Sequence, residues 1–254
     1  MIKEFNTTGS CNPAQHYMVD ISRKLAKVED FILRGKYFTI NRARQFGKTT
    51  TLKALFRNLS EQYVVIPISF EIGDAIFDSV EGFCEGLSFK ISEAAGVTSE
   101  QADFWLNEYK CASFEGLSAK ITAFCKSQTK PVLLLIDEVD KSTDNQLFLN
   151  FLGMLRNKYL DRDVKGMNST FHSVILAGVY DVKNLKIKLR PDEERKYNSP
   201  WNIAADFNVD MTFLPDEIIT MLNEYEADHH TGMDKEFISN EIYKYTSGYP
   251  FLVS

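Results

Sequence analysis

Apolar residues in this chain form short unbroken runs, and segments of helical spacing separate these runs. Val132–Ile136 is an apolar run without alternation, which predicts a strand buried on both faces, as in parallel sheets. Val174–Val179 predicts another buried strand, and Val64–Phe70 a further one. Lys36–Asn41 contains aromatic and β-branched residues and also predicts a strand, while Phe207–Met211 predicts a shorter one.

Helical spacing fills much of the chain between and after these strands. Large apolar and aromatic residues recur at that spacing after Thr49, within residues 78–127, in Asp144–Leu160 and from Pro215 onward. Strands that alternate with helices favour an α/β fold of three layers with a mostly parallel sheet. The polar stretch at residues 183–206 predicts a mobile loop.

The segment that follows the first strand carries the most informative motif. It ends in Gly47-Lys48-Thr49, the closing half of a phosphate-binding loop, and the next residues have helical spacing. In a strand–loop–helix order, backbone amides at the helix N-terminus point at phosphates and the helix dipole favours negative charge. Lys48 is therefore expected to reach the terminal phosphates, and the Thr49 hydroxyl to ligate Mg²⁺. The residues predicted to contact the nucleotide are Arg42, Ala43, Arg44, Gln45, Phe46, Gly47, Lys48, Thr49 and Thr50.

This loop departs from the general pattern at its first position, where Arg42 replaces a glycine. An arginine cannot adopt positive φ cheaply, so we expect a turn of a slightly different shape. Arg42 and Arg44 also place two cations beside the expected triphosphate. The alternative interpretation is a basic surface loop that precedes a helix.

Two acids follow the longest apolar run. Ligands of parallel α/β sheets lie at the carboxyl ends of the strands, and Asp137-Glu138 come at such an end. Asp137 is therefore a candidate to hold the Mg²⁺ of a nucleotide through water, and Glu138 to polarise the attacking water. The alternative is a helix N-cap followed by an acid of the first turn.

Composition and charge agree with a soluble, enzyme-like protein. The 254 residues carry 29 basic and 35 acidic side chains, a net charge of −6, which argues against a dedicated nucleic-acid binder. No apolar run reaches the length of a membrane span and the N-terminus has no apolar signal core, so a cytoplasmic location without membrane contact is expected. The four cysteines are widely spaced, and Cys84 and Cys125 are predicted to be buried thiols rather than ligands of zinc.

Four stretches together resemble the AAA-like ATPases of the STAND group, the signal-transducing P-loop ATPases that are widespread in bacteria. In that group a loop of the form Arg-x-Arg-x-Phe-Gly-Lys-Ser/Thr replaces the usual phosphate loop (Walker A), and the acidic strand end corresponds to Walker B. The stretches are Phe5–Gly9 with His16–Asp20, Phe38–Thr50, Leu135–Asp140 and Tyr245–Val253. The resemblance implies binding of ATP and slow hydrolysis with Mg²⁺.

The resemblance also implies an organisation of the chain. Residues 1–30 are expected to pack near the nucleotide base, residues 31–214 to form the ATPase core, and residues 215–254 to form a helical lid. We expect the lid to be truncated, because the chain stops in an apolar run without a closing element.

Three residues outside the loop are placed near the base by the same resemblance. Gly248-Tyr249-Pro250 matches a Gly-x-Pro signature that lies near the base in relatives, so Pro250 is a candidate contact. A plain helix C-cap is the alternative for this tripeptide. Tyr17 and Asp20 are expected beside the adenine.

Other candidate residues have two open interpretations each. Asp181 follows a buried strand near where relatives have a γ-phosphate sensor, and it could orient water or Mg²⁺. Arg156 either reaches a neighbouring site or lines the solvent face. Asp140 either caps the next helix or ligates the metal through water. His229 and His230 are interpreted as a solvated helix end.

Two functions from different classes follow. The first is an ATPase in which Glu138 activates water and hydrolysis moves the lid or an effector. The second is a nucleotide-dependent binding switch or scaffold with little turnover. Glu138 favours the first, because a protein that only binds ATP does not need a base. The expected partners are ATP or ADP and an unknown protein or a second copy of the chain, and nucleic acid only through regions outside this chain.

Overall fold

The computed structural model describes residues 2–6, 9–70, 74–96, 111–139, 146–179 and 200–254. Contacts divide the chain into two compact units. The terminal unit consists of residues 1–30, 43–54 and 208–254, and the sheet unit consists of residues 31–42 and 55–207. No helix among the described residues is long and apolar enough to cross a membrane.

The described helices and strands alternate along most of the chain, as predicted. The strands are β1 Phe38–Asn41, β2 Val64–Ser69, β3 Val132–Asp137 and β4 Ser173–Gly178. The helices are α1 Ser22–Leu33, α2 Lys48–Leu59, α3 Val80–Ala95, α4 Phe114–Ser127, α5 Gln146–Leu160, α6 Arg162–Lys165, α7 Pro215–His229, α8 Lys235–Thr246 and α9 Pro250–Val253. Two 3₁₀ helices span Asp74–Phe77 and Met167–Ser169.

The four strands form one parallel sheet in the order β1-β4-β3-β2. Asn41 pairs with Gly178, and Ser69 pairs with Asp137. The carboxyl ends of all four strands therefore lie along one edge of the sheet. Arg42, where the phosphate loop starts, and Asp137 both belong to that edge. The predicted α/β fold with a parallel sheet is confirmed.

The central strands β3 and β4 are largely apolar runs, as expected where both faces of a sheet are buried. Every residue of β4 is buried, and β3 is buried up to the partly exposed Asp137. Helix α5 contributes Phe148 and Phe151 to the same core, and Phe148 meets the ring of Phe70 edge-on at 5.5 Å. Burial of such a side chain stabilises the fold by about 1.5–3 kcal/mol.

The predicted strand at Phe207–Met211 is wrong. The described chain has only an isolated parallel bridge here, between Ala205 and Phe38. Shortly after it, the carboxylate of Asp210 accepts hydrogen bonds from the backbone N–H and the hydroxyl of Thr212, both at 2.9 Å. Such a local side-chain bond offers the backbone an alternative to a sheet ladder.

Helix α1 was not predicted, although Leu25, Val28 and Ile32 have helical spacing and are buried. The helix begins next to Asp20, whose carboxylate accepts hydrogen bonds from the backbone N–H of Ser22 (2.8 Å) and from its hydroxyl (2.5 Å). A carboxylate at this position satisfies amides that have no partner within the helix.

The terminal unit has a small apolar core and several polar contacts between distant segments. Its buried apolar cluster is Tyr17, Val19, Ile218, Met221, Leu222 and Val253. Lys24 forms a buried ion pair with Glu217, and Lys3 forms a second ion pair with Glu224 at 2.9 Å. The N-terminal segment is thus held against α7 by charge as well as by apolar packing.

Candidate nucleotide-binding site

The backbone of the phosphate loop is built from an extended start, a turn and a helix N-terminus. The N–H of Arg42 donates to the carbonyl of Gly178 at 3.1 Å and extends the β1–β4 ladder by one residue. The left-handed positions of the turn are Gln45 (φ 63°) and Gly47 (φ 72°). The loop therefore needs its positive φ values after Arg42, which is why an arginine can replace the usual first glycine.

The side chains of the loop bond largely to the loop itself. Lys48 Nζ donates to the carbonyl of Ala43 at 2.9 Å, so the lysine lies against the backbone of its own turn. The hydroxyl of Thr51 donates to the carbonyl of Gly47 at 2.9 Å. A Cβ placed on Gly47 would meet no atom within 4 Å, so the space beside this glycine is open.

Arg42 is anchored in the sheet unit. Its guanidinium donates to the carbonyl of Asn41 at 2.9 Å and lies 5.6 Å from the centre of the Phe207 ring. Arg44 is exposed in the terminal unit, and its carbonyl accepts a hydrogen bond from the hydroxyl of Tyr249 at 2.5 Å. The two arginines of the motif thus have different surroundings.

A cavity of about 140 Å³ lies within the terminal unit beside the phosphate loop. Tyr17 and Pro250, both predicted to lie near the base, line it together with Gly47. The remaining lining residues are Asn6, Gly9, Cys11, Met18, Val19, Ile21, Lys24, Gln45, Phe46, Thr50, Thr51, Met211, Phe213, Met221, Phe251 and Ser254. A mostly apolar cavity with a few polar groups is typical of a site for a small ligand.

Tyr17 is fixed by its hydroxyl group. The phenol donates to Asp228 Oδ2 at 3.0 Å and lies 3.2 Å from His229 Nε2. Burial, together with the hydrogen bond to Asp228, raises the pKa of Tyr17 to about 12. The phenol is therefore neutral at physiological pH, and its ring is held as a wall of the cavity.

Gly248 allows the chain to turn sharply between α8 and α9. Its φ is 70°, and a Cβ there would lie 2.0 Å from the carbonyl oxygen of Phe213. The N–H of Phe213 donates to the carbonyl of Gly248 at 2.8 Å. Helix α8 ends at a C-cap, Ser247, and Pro250 opens α9. The tripeptide thus ends a helix and also brings Pro250 to the cavity.

Asp20 is exposed, and both its carboxylate and its backbone N–H form hydrogen bonds within the protein. Hydrogen bonds from Ser22 hold the pKa of its carboxyl below the ordinary value, and its backbone N–H donates to Thr220 Oγ1 at 2.8 Å. The structure thus uses this carboxylate at the start of α1, and a contact with adenine stays a prediction.

The acidic pair at the end of β3 has an unusual backbone. Glu138 has a φ of 56°, and its N–H donates to Asp137 Oδ1 at 2.9 Å. A left-handed conformation costs a residue with a Cβ roughly 1–2 kcal/mol. Non-glycine residues kept in such conformations concentrate at functional sites.

The other predicted residues have the following surroundings. Arg156 Nε donates to Asn202 Oδ1 at 2.7 Å within the sheet unit. Cys84 and Cys125 are buried as predicted, and burial raises the pKa of each thiol to about 12. His229 and His230 are exposed at the end of α7. Asp140 and Asp181 lie outside the described residues.

Several lining residues of the cavity were missed by sequence reasoning. Cys11, Lys24 and Phe213 belong to no recognisable motif, and only their position in the folded chain brings them to the cavity. Among the described residues, no three His, Cys, Asp or Glu side chains cluster so as to hold a metal ion. The described residues therefore do not form a metal site from these side chains alone.

Comparison with known proteins agrees with this geometry. Residues 12–254 match the sequence profile of the AAA-like domain. The chain belongs to this family. AAA-like domains are nucleotide-binding ATPase domains, and the matched residues include Gly47-Lys48-Thr49. A comparison with curated proteins returned no match.

Solved structures share the fold of this AAA-like domain. The Walker-type ATPase PABY2304 of Pyrococcus abyssi is 15% identical with a TM-score of 0.62, and the match covers 98% of this chain and 69% of that one. Cdc6p from Pyrobaculum aerophilum is 12% identical with a TM-score of 0.50, and the match covers 85% of this chain and 52% of that one. The chain spans about half the length of Cdc6p.

Proposed function

We propose that this AAA-like domain binds ATP with Mg²⁺ and hydrolyses it slowly, with the base in the cavity of the terminal unit. The observation that supports this most is the position of the cavity. Gly47, Thr50 and Thr51, at the start of α2, line it together with Tyr17 and Pro250. A base in this cavity would therefore have its phosphates next to a helix N-terminus, which favours negative charge.

The loop residues have separate roles in this proposal. The backbone amides from Ala43 to Thr50 surround the phosphates. Lys48, whose ammonium donates to the carbonyl of Ala43, exchanges this partner for the terminal phosphates. The exposed Arg44 adds positive charge. Arg42 supports the loop through its ladder bond and its contact with Phe207.

The oxygen donors of the chain fit Mg²⁺. The hydroxyl of Thr49 lies at the start of α2 and the carboxylate of Asp137 at the end of β3, and hard oxygen ligands are those that Mg²⁺ prefers. Thr49 would ligate the ion directly and Asp137 through water. When bound, Mg²⁺ neutralises charge that develops on the phosphate oxygens.

Glu138 is the proposed base that polarises the attacking water. Its left-handed backbone and its N–H bond to Asp137 give its carboxylate a direction that an ordinary strand residue would not have. Positive charge from Lys48 and the loop arginine stabilises the leaving phosphate, which is the main contribution in phosphoryl transfer.

The alternative is a nucleotide-dependent switch or scaffold with little turnover. One observation favours it: the tripeptide Gly248–Pro250 touches both the cavity and the phosphate loop, so a bound nucleotide can change the position of the C-terminal helices. In either case we propose that residues 215–254 act as a lid whose movement reports the nucleotide state.

Calorimetry with Mg-ATP tests the proposal. Lys48→Ala is expected to abolish binding or weaken it at least about tenfold, because the charge-assisted bonds to the phosphates are lost. Lys53→Ala is the matched control: Lys53 is also on α2, but its ammonium donates to Ser10 Oγ at 2.6 Å. Absence of binding by the wild-type chain at millimolar Mg-ATP would refute the site.

Release of phosphate separates the two functions. Glu138→Gln is expected to keep ATP binding and stop phosphate release, because the amide cannot accept a proton from water. Unchanged turnover in this variant would remove Glu138 as the base. A wild-type chain that binds ATP without releasing phosphate would favour the switch.

A further inference from the structure

Tyr249 connects the end of α8 to the phosphate loop through two contacts. Its hydroxyl donates to the carbonyl of Arg44 at 2.5 Å, and its ring centre lies 4.7 Å from that of Phe46 at an angle of 59°. All three residues belong to the terminal unit. Tilted rings at this distance attract each other beyond their apolar burial.

The two contacts lie on either side of the strained residue of the loop. Gln45, between Arg44 and Phe46, has a φ of 63°. A left-handed conformation is unfavourable for a glutamine and persists only where the surroundings hold it. Tyr249 holds the residue before Gln45 by a hydrogen bond and the residue after it by ring contact.

Tyr249 is itself fixed from the other side. Its backbone N–H donates to the carbonyl of Thr246 at 3.0 Å, and the preceding Gly248 accepts a bond from the N–H of Phe213 at 2.8 Å. Only a glycine fits next to Phe213. The tyrosine therefore projects from a turn that is held by backbone hydrogen bonds, which makes it a suitable support for the loop.

We propose that Tyr249 is a positioning residue that holds the phosphate loop in the conformation that accepts phosphates. This inference rests on the proposed function of the loop. It assigns a role to Tyr249, the variable position of the Gly-x-Pro signature. A loop already in its bound conformation binds more tightly, because less ordering remains to be done when the ligand arrives. Movement of the Gly248–Pro250 turn would release the loop and lower its affinity for phosphate groups.

Two ligands distinguish positioning of the loop from a general structural role. Tyr249→Phe removes the hydroxyl and keeps the ring. It is expected to raise the Kd for Mg-ATP about threefold to tenfold, the range of one net hydrogen bond. The Kd for adenosine, measured by ligand-observed NMR, is expected to stay within about twofold, because adenosine has no phosphates. Tyr245→Phe is the matched control, since Tyr245 is 76% exposed on α8.

Hydrogen exchange tests the loop without any nucleotide. In Tyr249→Phe, amides of residues 43–47 are expected to exchange several-fold faster than in the wild type, with unchanged exchange in β3. An unchanged Kd for Mg-ATP in Tyr249→Phe, or equal losses for ATP and adenosine, would overturn the inference while leaving ATP binding intact. Unchanged loop exchange would overturn it as well. Failure of the wild type to bind ATP would instead refute the proposed function.

Discussion

The sheet unit and the terminal unit are stabilised in different ways. The sheet unit has a continuous apolar core, in which buried strands such as β3 and β4 pack against helices that carry aromatic side chains. The terminal unit has a small apolar cluster. Ion pairs join its first and last segments, and side-chain hydrogen bonds such as Lys53 to Ser10 and Tyr249 to Arg44 join both of them to residues 43–54. Its cavity is lined by residues from all three segments.

This difference concerns the interior of each unit, because the sheet unit also has a groove of about 890 Å³ that is lined by residues of α4 and α5. A close-packed apolar core leaves no room for a ligand, because voids in it lose dispersion contacts. A unit assembled from separate segments can leave a cavity between them and still be held by directional polar bonds. A ligand can then change the positions of these segments at a moderate cost in free energy, because each hydrogen bond contributes only about 0.5–1.5 kcal/mol to stability.

The largest effect is expected in the core of the sheet unit. Phe148→Ala removes a side chain that is fully buried against Phe70, and we expect a loss of about 4 kcal/mol in the free energy of unfolding. Phe89→Ala is the control, because Phe89 is 58% exposed on α3 and should cost less than about 0.5 kcal/mol. Equal losses of unfolding free energy in Phe148→Ala and Phe89→Ala, measured by urea unfolding, would contradict the expected contrast between core and surface.

The next largest effect is expected from the buried ion pair of the terminal unit. Glu217→Gln leaves the ammonium of Lys24 buried without its negative partner and should cost about 3 kcal/mol. Asp216→Asn breaks the neighbouring pair with Arg23, whose side chains are 79% and 54% exposed, and should cost less than about 1 kcal/mol. Urea unfolding at low and high salt measures the loss of unfolding free energy in both variants. Only the loss for the exposed pair should depend on salt.

The double variant Lys24→Met/Glu217→Leu sharpens this test. Apolar replacement of both partners should recover most of the stability that Glu217→Gln loses, because no unpaired charge remains buried. A double variant as unstable as the single one would show that the pair contributes through geometry rather than charge.

Gly248→Ala is expected to have an intermediate effect. The alanine must adopt a positive φ, and its Cβ would lie 2.0 Å from the carbonyl oxygen of Phe213. Gly232→Ala is the matched control, with a φ of 73° and nothing within 4 Å of the added Cβ, and should cost about 1 kcal/mol. We expect Gly248→Ala to cost about 2 kcal/mol more than this control, as overpacking does. Equal melting temperatures would mean that the turn relaxes freely.

The smallest effect is expected at Glu138. Because its φ is 56°, Glu138→Gly should be more stable than Glu138→Ala by about 1 kcal/mol. The same pair of substitutions at Glu85, inside α3, should give the opposite order by about the same amount. A lower stability of Glu138→Gly in thermal unfolding would contradict a strained backbone at the end of β3.

Sequence reasoning worked best where structure depends on neighbours in the chain. The strands β2, β3 and β4 follow unbroken apolar runs, and α5 follows a long helical pattern, so local spacing was enough to predict them. It was wrong at Phe207–Met211, where Asp210 bonds to Thr212 instead of allowing a ladder. Helix α1 was not predicted, although its apolar spacing is visible in the sequence; the carboxylate of Asp20, expected beside the adenine, bonds to Ser22 at the start of this helix.

The sequence by itself determined the AAA-like family, the parallel α/β fold and the strand–loop–helix order around Gly47-Lys48-Thr49, because these depend on local spacing and on a motif of consecutive residues. Only the tertiary structure decided that Cys11, Lys24 and Phe213 line the same cavity as Tyr17 and Pro250, that Tyr249 bonds to Arg44, and that positive φ falls at Gln45. These features join segments that are about 200 residues or more apart in sequence; Arg44 and Tyr249, for example, are separated by 205 positions. No local pattern encodes such contacts, because they form only when the whole unit is packed.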